Sequence, residues 1–354
     1  MLSTLLPHAP TTHIDKLPHD KEELPVTQPE PLTVDALVRH RASLGSSQPA
    51  VYYPRTGIEY SKFPLHQLDV YAFRVAKILA DVIPPRKASS EIPTVVGLLG
   101  PSDLNYLVLL LALTKLGHTG LFLSTRISVE AHVSLVERTN AQHIFVHRSL
   151  KDTASKVQER VSGLQIHEIP GEENYDYPVS DNPIDTDLLA HLDPEVEKTH
   201  VAWIIHSSGS TGLPKPIFQT HRAAIKNYAG NMNMRGFITL PLYHSHGICC
   251  TFRTIYSCKT LHLYNPELPL TSQYLVKIMQ SHDFEIFYGV PYALKLLAES
   301  KEGIAALANL KAVMFGGSSC PDSLGNLLVE NGVYLISHYG SYVFSAKYFR
   351  FYFN

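Results

Sequence analysis

The sequence predicts an α/β protein built on parallel sheets. Short, near-continuous apolar runs alternate with helix-period segments, as in PTVVGLLG, TGLFLS and QHIFVH with helices between them. The runs are bounded by Gly, Pro and capping residues. Apolar residues make up 45% and charged residues 18% of 354, which is globular composition and excludes wholesale disorder. That length suits one large or two ordinary domains with a sizeable core.

The elements follow in order. The first 31 residues hold six prolines, about four times average usage, and read as an extended tail. Folded sequence begins near Thr33, an N-cap for VDALVRHRASLG, which Gly45 ends. PAVYYP is a strand, Thr56-Gly57 a turn, and Leu65 to Asp81 a helix with apolar residues three and four apart. Strand PTVVGLLG leads to a helix capped by Ser102 or Asp103, running to Lys115 and stopped at Gly117. Strand TGLFLS, helix SVEAHVSLVERT and strand QHIFVH complete a first unit. Residues 170–200, rich in Pro, Asp, Glu and Asn, read as a surface connection. A second unit follows: strand HVAWIIH, a Gly/Ser loop, helix HRAAIKNYAGNM and strand FITLPL. Strand EIFYGV, helix PYALKLLAES, strand LKAVMFGG, helix SLGNLLVEN and strand VYLISHYG close it.

Composition also narrows function. Thirty Lys+Arg against 32 Asp+Glu give a net charge of −2, so nothing draws the chain to nucleic acid or an anionic membrane. Cys249, Cys250, Cys258 and Cys320 fit neither a zinc spacing nor a secreted disulfide framework, and read as small buried hydrophobes. The N-terminus lacks the basic and apolar regions of a signal peptide. The longest strongly apolar stretch, Tyr106 to Leu113, is far short of the ~20 residues of a membrane span. The expected location is cytoplasmic.

The strongest chemical signal is His206-Ser-Ser-Gly-Ser-Thr-Gly-Leu-Pro-Lys215, placed directly after an apolar strand. Gly209 and Gly212 let the backbone approach a ligand. The hydroxyls of Ser208, Ser210 and Thr211 can donate to phosphate oxygens, and Lys215 adds a positive charge. The flanking Pro214 and Pro216 exclude a Walker loop. A flexible surface loop is the bland alternative, against which the strand and the Pro-Lys ending weigh. No Gly-x-Ser-x-Gly elbow supports a hydrolase, and VGLLGPSD lacks the glycine turn of a dinucleotide site.

Residues 207 to 215 match at every position the signature loop of the adenylate-forming enzymes, and the chain resembles that superfamily of acyl-CoA synthetases, luciferases and nonribosomal-peptide adenylation domains. PLYHSHG (Pro241 to Gly247) is similar to its second motif, MFGGSSCP (Met314 to Pro321) to its adenosine-side loop, and SHYGS (Ser337 to Ser341) to the start of its Tyr-Gly-x-Thr-Glu motif. All stand in family order. The resemblance runs from about Thr33 to Ser341 and is nearest in style to fungal synthetase-reductases that begin with an adenylation domain.

The resemblance implies the family's large N-terminal domain, two stacked parallel-sheet units with flanking helices, without its C-terminal part. Residues 32–341 would be an incomplete adenylation domain. Its implied activity is ATP- and Mg²⁺-dependent conversion of a carboxylic acid to an acyl-adenylate. Ser207, Ser208, Gly209, Ser210, Thr211 and Gly212 would hold the phosphates, with Lys215 and His244 catalytic. Gly316, Gly317, Ser318, His338, Tyr339, Gly340 and Ser341 would line the nucleotide, with Tyr339 against the adenine. His244 would face the acid, in a pocket shared with Tyr288 and Gly289. Amino-acid-activating members place Asp at the His244 position. A histidine cannot supply that fixed charge, so the expected substrate is a small acid without an α-amino group. His244 and His246 make a His-x-His pair that lacks a third metal ligand, and no resident metal site is expected. Carrier and reductase domains are the partners expected in a full-length relative.

Two departures bear on activity. Tyr342 and Val343 stand where the family has Thr and Glu, and valine cannot ligate the Mg²⁺ that this Glu helps hold. The family's ribose-binding Asp, hinge and C-terminal lysine also lie beyond the sequence given. Residues 342–354, YVFSAKYFRFYFN, hold seven aromatics with neither an amphipathic period nor turn chemistry. If Ser341 is encoded TCG, Ser-Tyr-Val contains a 5′ splice-donor start, and the expectation is translated intron in an impaired, poorly soluble chain. A shortened protein with a final aromatic strand is the alternative. The competing functional class is a non-catalytic nucleotide- or acid-binding remnant.

Overall fold

The structure, a computed structural model, describes residues 30–45, 49–178, 190–207, 212–341 and 344–351. The expected extended tail lies, apart from its last two residues, outside the described residues. So do Ser208, Gly209, Ser210 and Thr211.

From Pro31 onward the chain alternates strand and helix as the apolar periods require. Helix α1 (Val34–Ser43) starts where Thr33 accepts a hydrogen bond from the Ala36 N–H, and ends before Gly45, whose φ is 64°. Strands β1 (Pro49–Thr56) and β2 (Glu59–Pro64) form a hairpin, and α2 (Leu65–Ala80) follows. Strand β3 (Val95–Leu99) feeds α3 (Leu104–Lys115), whose cap is Asp103, accepting from the Tyr106 N–H at 2.8 Å. Then come β4 (Thr119–Leu123), α4 (Val129–Thr139), β5 (His143–Val146), α5 (Lys151–Gln158), β6 (Gln165–Glu168) and the short α6 (Pro194–Glu197). The second half runs β7 (Val201–His206), β8 (Pro216–Thr220), α7 (His221–Ala229), β9 (Gly236–Ile238), α8 (Ser245–Tyr256), β10 (Leu261–Leu263) and α9 (Ser272–Ser281). It continues with β11 (Ile286–Gly289), α10 (Pro291–Ala298), α11 (Lys301–Ala308), β12 (Ala312–Phe315), α12 (Asp322–Glu330), β13 (Leu335–Ser341) and β14 (Phe344–Phe351).

Two sheets result, with strand orders β14-β13-β12-β11-β9-β10-β1-β2 and β6-β5-β3-β4-β7-β8. Their interiors are parallel, as expected. Of their antiparallel edges, β2 and β8 are not visible as strands in the sequence, and β14 stands there only as the alternative of a final aromatic strand. The reason differs by edge. β2 and β8 are half-exposed and carry no continuous apolar run, and residues 344–351 showed no strand period.

One core joins the inner faces of both sheets through α1, α2, α3, α7 and α8. Trp203 at its centre is fully buried, packs 5.3 Å from Phe122 and 5.9 Å from Phe252 between ring centroids, and donates its indole N–H to the Tyr228 hydroxyl at 3.0 Å. Helix α3 is apolar all round because it lies wholly inside this layer. A second core packs α9 to α12 on the outer face of the larger sheet, and a third packs α4 and α5 on the outer face of the smaller.

The surface reading of 170–200 holds for most of its described residues, with two buried anchors. Tyr175 is fully buried and donates to Asn105 at 2.6 Å, Arg74 clamps the Tyr175 and Tyr177 carbonyls, and buried Glu197 pairs with buried Arg86 at 2.7 Å. Residues 179–189 lie outside the described residues.

Candidate functional site

In open α/β sheets, ligands collect beyond the carboxyl ends of the parallel strands. Here those ends carry the sequence motifs. Ser207 follows β7, residues 239–244 follow β9, Gly289 ends β11, and Gly316–Ser318 follow β12. His338, Tyr339, Gly340 and Ser341 are the last residues of β13.

The loop between β7 and β8 is closed at its base. The Ser207 N–H donates to the Lys215 carbonyl at 3.1 Å, and the Lys215 N–H donates to the Ser207 hydroxyl at 3.0 Å. Gly212 has φ 142°, in the range that favours glycine, and Lys215 is exposed while Pro214 is buried. The expected loop directly after an apolar strand therefore holds at every described position of the segment.

The second motif forms the start of α8. His244 is the N-cap residue, with its N–H donating to the Pro241 carbonyl at 3.1 Å. Gly247 explains itself, since a Cβ there would lie 2.0 Å from that same carbonyl oxygen. The His244 ring lies 6.4 Å from that of His206, centroid to centroid, which brings motif two beside the end of β7. His206 is buried, accepts from the Ser124 N–H at 3.3 Å through Nε2, and contacts the Ser207 carbonyl through Nδ1 at 3.1 Å. His244 is an exposed residue. Enough protein surrounds the ring that lost hydration, then His206 and Arg126, push its pKa down to about 4, so it stays neutral at pH 7.

The glycine loop after β12 touches the same region. The Gly316 N–H donates to the Gly289 carbonyl at 3.2 Å. A Cβ on Gly316 would lie 2.9 Å from the His338 carbonyl and 3.0 Å from His246 Nδ1. Gly317 has φ 87°, and Ser318 is exposed. Gly289, Gly316 and His338 are thus neighbours. Tyr288 is placed differently from Gly289: it is 3% exposed beneath α8, with its ring against Gly236.

A cleft of about 480 Å³ opens where the strand ends of both sheets meet. Ser102, Thr125, Arg126, Ser149, Tyr243 and Tyr264 are among its walls. Two contacts tie the sheets together there. The Leu242 N–H donates to the Ser102 hydroxyl at 2.7 Å, and the Thr125 and Tyr243 hydroxyls lie 3.3 Å apart. The sequence marks Ser102 as a candidate helix cap and Tyr243 as part of the second motif, and gives Thr125 and Arg126 no role. The one local signal of Thr125 and Arg126 is their place just after β4. A much smaller hollow of about 30 Å³ lies at the other end of α8, beside Cys258 and Lys259. All four cysteines are free thiols, three of them buried. No described helix is long and apolar enough to cross a membrane.

The chain belongs to the AMP-binding enzyme family, whose pattern it matches over residues 40–341. Among curated proteins it is 31% identical over 293 residues to a carboxylic acid reductase of Neurospora crassa, covering 77% of this chain and 27% of that protein. It is 28% identical over 256 residues to an adenylate-forming reductase of Aspergillus terreus, covering 68% of this chain and 24% of that protein. The chain thus spans about a quarter of the length of these relatives. Among solved structures it resembles the inhibitor-bound N-terminal domain of FACL13 from Mycobacterium tuberculosis, with a TM-score of 0.72 and 17% identity over 87% of this chain and 76% of that one. The anthranilate CoA ligase AuaEII in complex with anthranoyl-AMP gives a TM-score of 0.71 at 17% identity, over 89% of this chain and 61% of that one. These likenesses define the fold, the N-terminal domain of adenylate-forming enzymes.

Proposed function

We propose that this chain binds ATP and a carboxylic acid and joins them as an acyl-adenylate with release of pyrophosphate. The observation that carries the reading is the closed Ser207–Lys215 base, set beside His206 and the His244 end of α8. Ser207 to Gly212 would hold the phosphates, and Lys215 would offset charge developing on the transferred phosphoryl group. Gly316, Gly317, Ser318 and His338 to Ser341 would flank the nucleoside. The acid's carboxylate attacks the α-phosphorus, and the bond to the β,γ-diphosphate breaks. Neutral His244 leaves room for an acid without an α-ammonium, and no Asp or Glu occurs from Lys198 to Pro266 to pair one.

Mg²⁺ fits this chain poorly. The second-motif and β13 segments contain no carboxylate, and Val343 occupies the family's Glu position. Turnover by the chain alone is accordingly expected to be slow, and binding without turnover is the competing reading that Val343 favours. In a longer protein the acyl group would pass to a carrier thiol and then to a reductase domain, in keeping with the reductase names of the relatives. Pyrophosphate exchange measured on the purified chain with a panel of acids tests the proposal. Acid-dependent exchange supports it. ATP binding without exchange for any acid leaves the binding remnant, and absence of both overturns the assignment.

A further inference from the structure

Ser124 is the first residue beyond β4, and each of its polar groups has a partner. Its N–H donates to His206 Nε2 at 3.3 Å, its carbonyl accepts from His132 Nε2 at 3.0 Å, and its hydroxyl accepts from the Arg126 N–H at 3.2 Å. Ser124, His132 and His206 are all buried. The tip of β4 is thus gripped between two imidazoles, one from α4 and one from the end of β7.

These partners fix both tautomers. His206 Nε2 accepts, so its proton sits on Nδ1, which donates to the Ser207 carbonyl at 3.1 Å. His132 Nε2 donates, so its Nδ1 is bare, and that atom is buried without a partner. Burial lowers both pKa values, and both rings stay neutral at pH 7. Strands β4 and β7 register Gly120 with Trp203 and Leu121 with Ile204. Past those pairs the His206 ring spans from the tip of β4 to Ser207, which Lys215 grips in turn. From the same tip, Thr125 reaches the Tyr243 hydroxyl of the second motif.

We propose that His206 is a positioning residue for the ATP phosphates: as the Nδ1–H tautomer it fastens the Ser207 carbonyl to the backbone of Ser124, and so sets the loop base that Ser207 and Lys215 close. The inference rests on the acyl-adenylate reading and adds to it a residue that acts through Ser207. A peptide unit is planar, so a pinned carbonyl also fixes the direction of the N–H on the opposite edge of the same unit. Backbone N–H groups so aimed are what a phosphate-binding loop offers. His206 would therefore act on the edge of the peptide that faces away from the ligand.

The test compares ATP with AMP, which lacks the outer phosphates, by calorimetric titration of the full chain. His206→Phe keeps a ring and removes both contacts. It should lower ATP affinity about fivefold to tenfold, the worth of a lost hydrogen bond, and change AMP affinity by less than about twofold. His206→Gln, whose amide can still accept from Ser124, should fall between Phe and wild type. Amide hydrogen exchange at Ser207 and Lys215 should quicken in His206→Phe. Nitrogen-15 spectra of the wild type should show His206 protonated at Nδ1 and His132 at Nε2. A role limited to joining β4 to β7 would lower the melting temperature and weaken ATP and AMP alike. Equal losses for the two nucleotides, unchanged ATP affinity in His206→Phe, or a His206 protonated at Nε2 overturns the proposal. Should His206→Phe not fold, His206→Gln and the wild-type tautomer still decide. ATP binding that ignores His206 removes this inference alone. No ATP binding by the wild type, with exchange at Ser207 and Lys215 still governed by His206, removes the adenylation reading and with it the ATP role.

Discussion

Ser207 and Lys215 hold each other twice, once through backbone N–H and carbonyl at 3.1 Å and once from the Lys215 N–H to the Ser207 hydroxyl at 3.0 Å. The loop between them is therefore fixed at its ends by groups other than the Lys215 ammonium, which is exposed. Removing that ammonium should change binding and leave the fold alone. In Lys215→Ala, ATP affinity should fall by ~1.5–3 kcal/mol, the worth of a charge-assisted contact, with an unchanged melting temperature. Titration of ATP into both proteins checks this, and equal affinities would remove Lys215 from the phosphate site.

Much of this arrangement was legible because local chemistry decided it. Thr33, Asp103 and Ser128 cap helices where the sequence places Thr, Asp and Ser before apolar periods. The buried parallel strands are apolar throughout and stand out. Gly247 and Gly316 are glycines because backbone or imidazole occupies the space of a Cβ. What stayed hidden depends on partners distant in sequence. Ser102 meets Leu242 across 140 residues, and Tyr175 gains its burial from α2 and Asn105. Helix α8 mixes His, Cys, Thr and Arg among its apolar residues, and every residue from Gly247 to Ile255 is buried, the polar ones included. Pattern cannot show which sheet such a helix will cover.

Lys115 should be among the most sensitive positions for stability. It is 2% exposed and sits between Asp35 at 3.1 Å and Asp69, joining α1, α2 and α3. Burial alone would lower its pKa, and the two carboxylates reverse that and raise it. Lys115→Met leaves two carboxylates facing each other and should cost about 3–5 kcal/mol. Adding Asp35→Leu and Asp69→Leu should recover much of the loss. Denaturant midpoints of the single and triple variants measure both effects, and a neutral single variant would show that the pairing contributes little.

Asp103 predicts the opposite sign at neutral pH. Burial raises its pKa to about 6 despite the hydrogen bond from the Tyr106 N–H, with Glu172 and Glu267 adding to the rise. The native state then holds this proton more tightly than the unfolded chain, and stability falls as pH rises from about 4 to 6. Asp103→Asn keeps a good capping acceptor and removes the charge. It should stabilise by on the order of 1–2 kcal/mol at pH 7 and by nothing near pH 4. Melting curves across that range give the answer, and a gain that is the same at both ends would rule out charge as its cause.

His262 controls part of the acid limb. It is 4% exposed, stacks on Tyr52 with ring centroids 4.2 Å apart and planes 11° apart, and leaves Nδ1 buried without a partner. Tyr60, His282 and Phe284 complete its surroundings, so no carboxylate among these neighbours favours the imidazolium. Burial, then the His282 charge, lowers its pKa to about 3. The unfolded chain therefore takes up a proton near pH 6.5 that the native chain refuses. Stability is lost as pH falls through that value towards 3. His262→Phe keeps the ring stack and removes the titration. Any packing cost of the larger ring is the same at every pH, so the comparison between pH values isolates the proton. Relative to wild type, the variant should be about 2 kcal/mol better placed at pH 5 than at pH 7. His221, lowered to about 4 by burial, still titrates and leaves the variant with a residual acid slope. Parallel stability–pH curves for the two proteins would mean that His262 is protonated as readily in the folded chain as in the unfolded one, which the buried, carboxylate-free ring cluster does not permit.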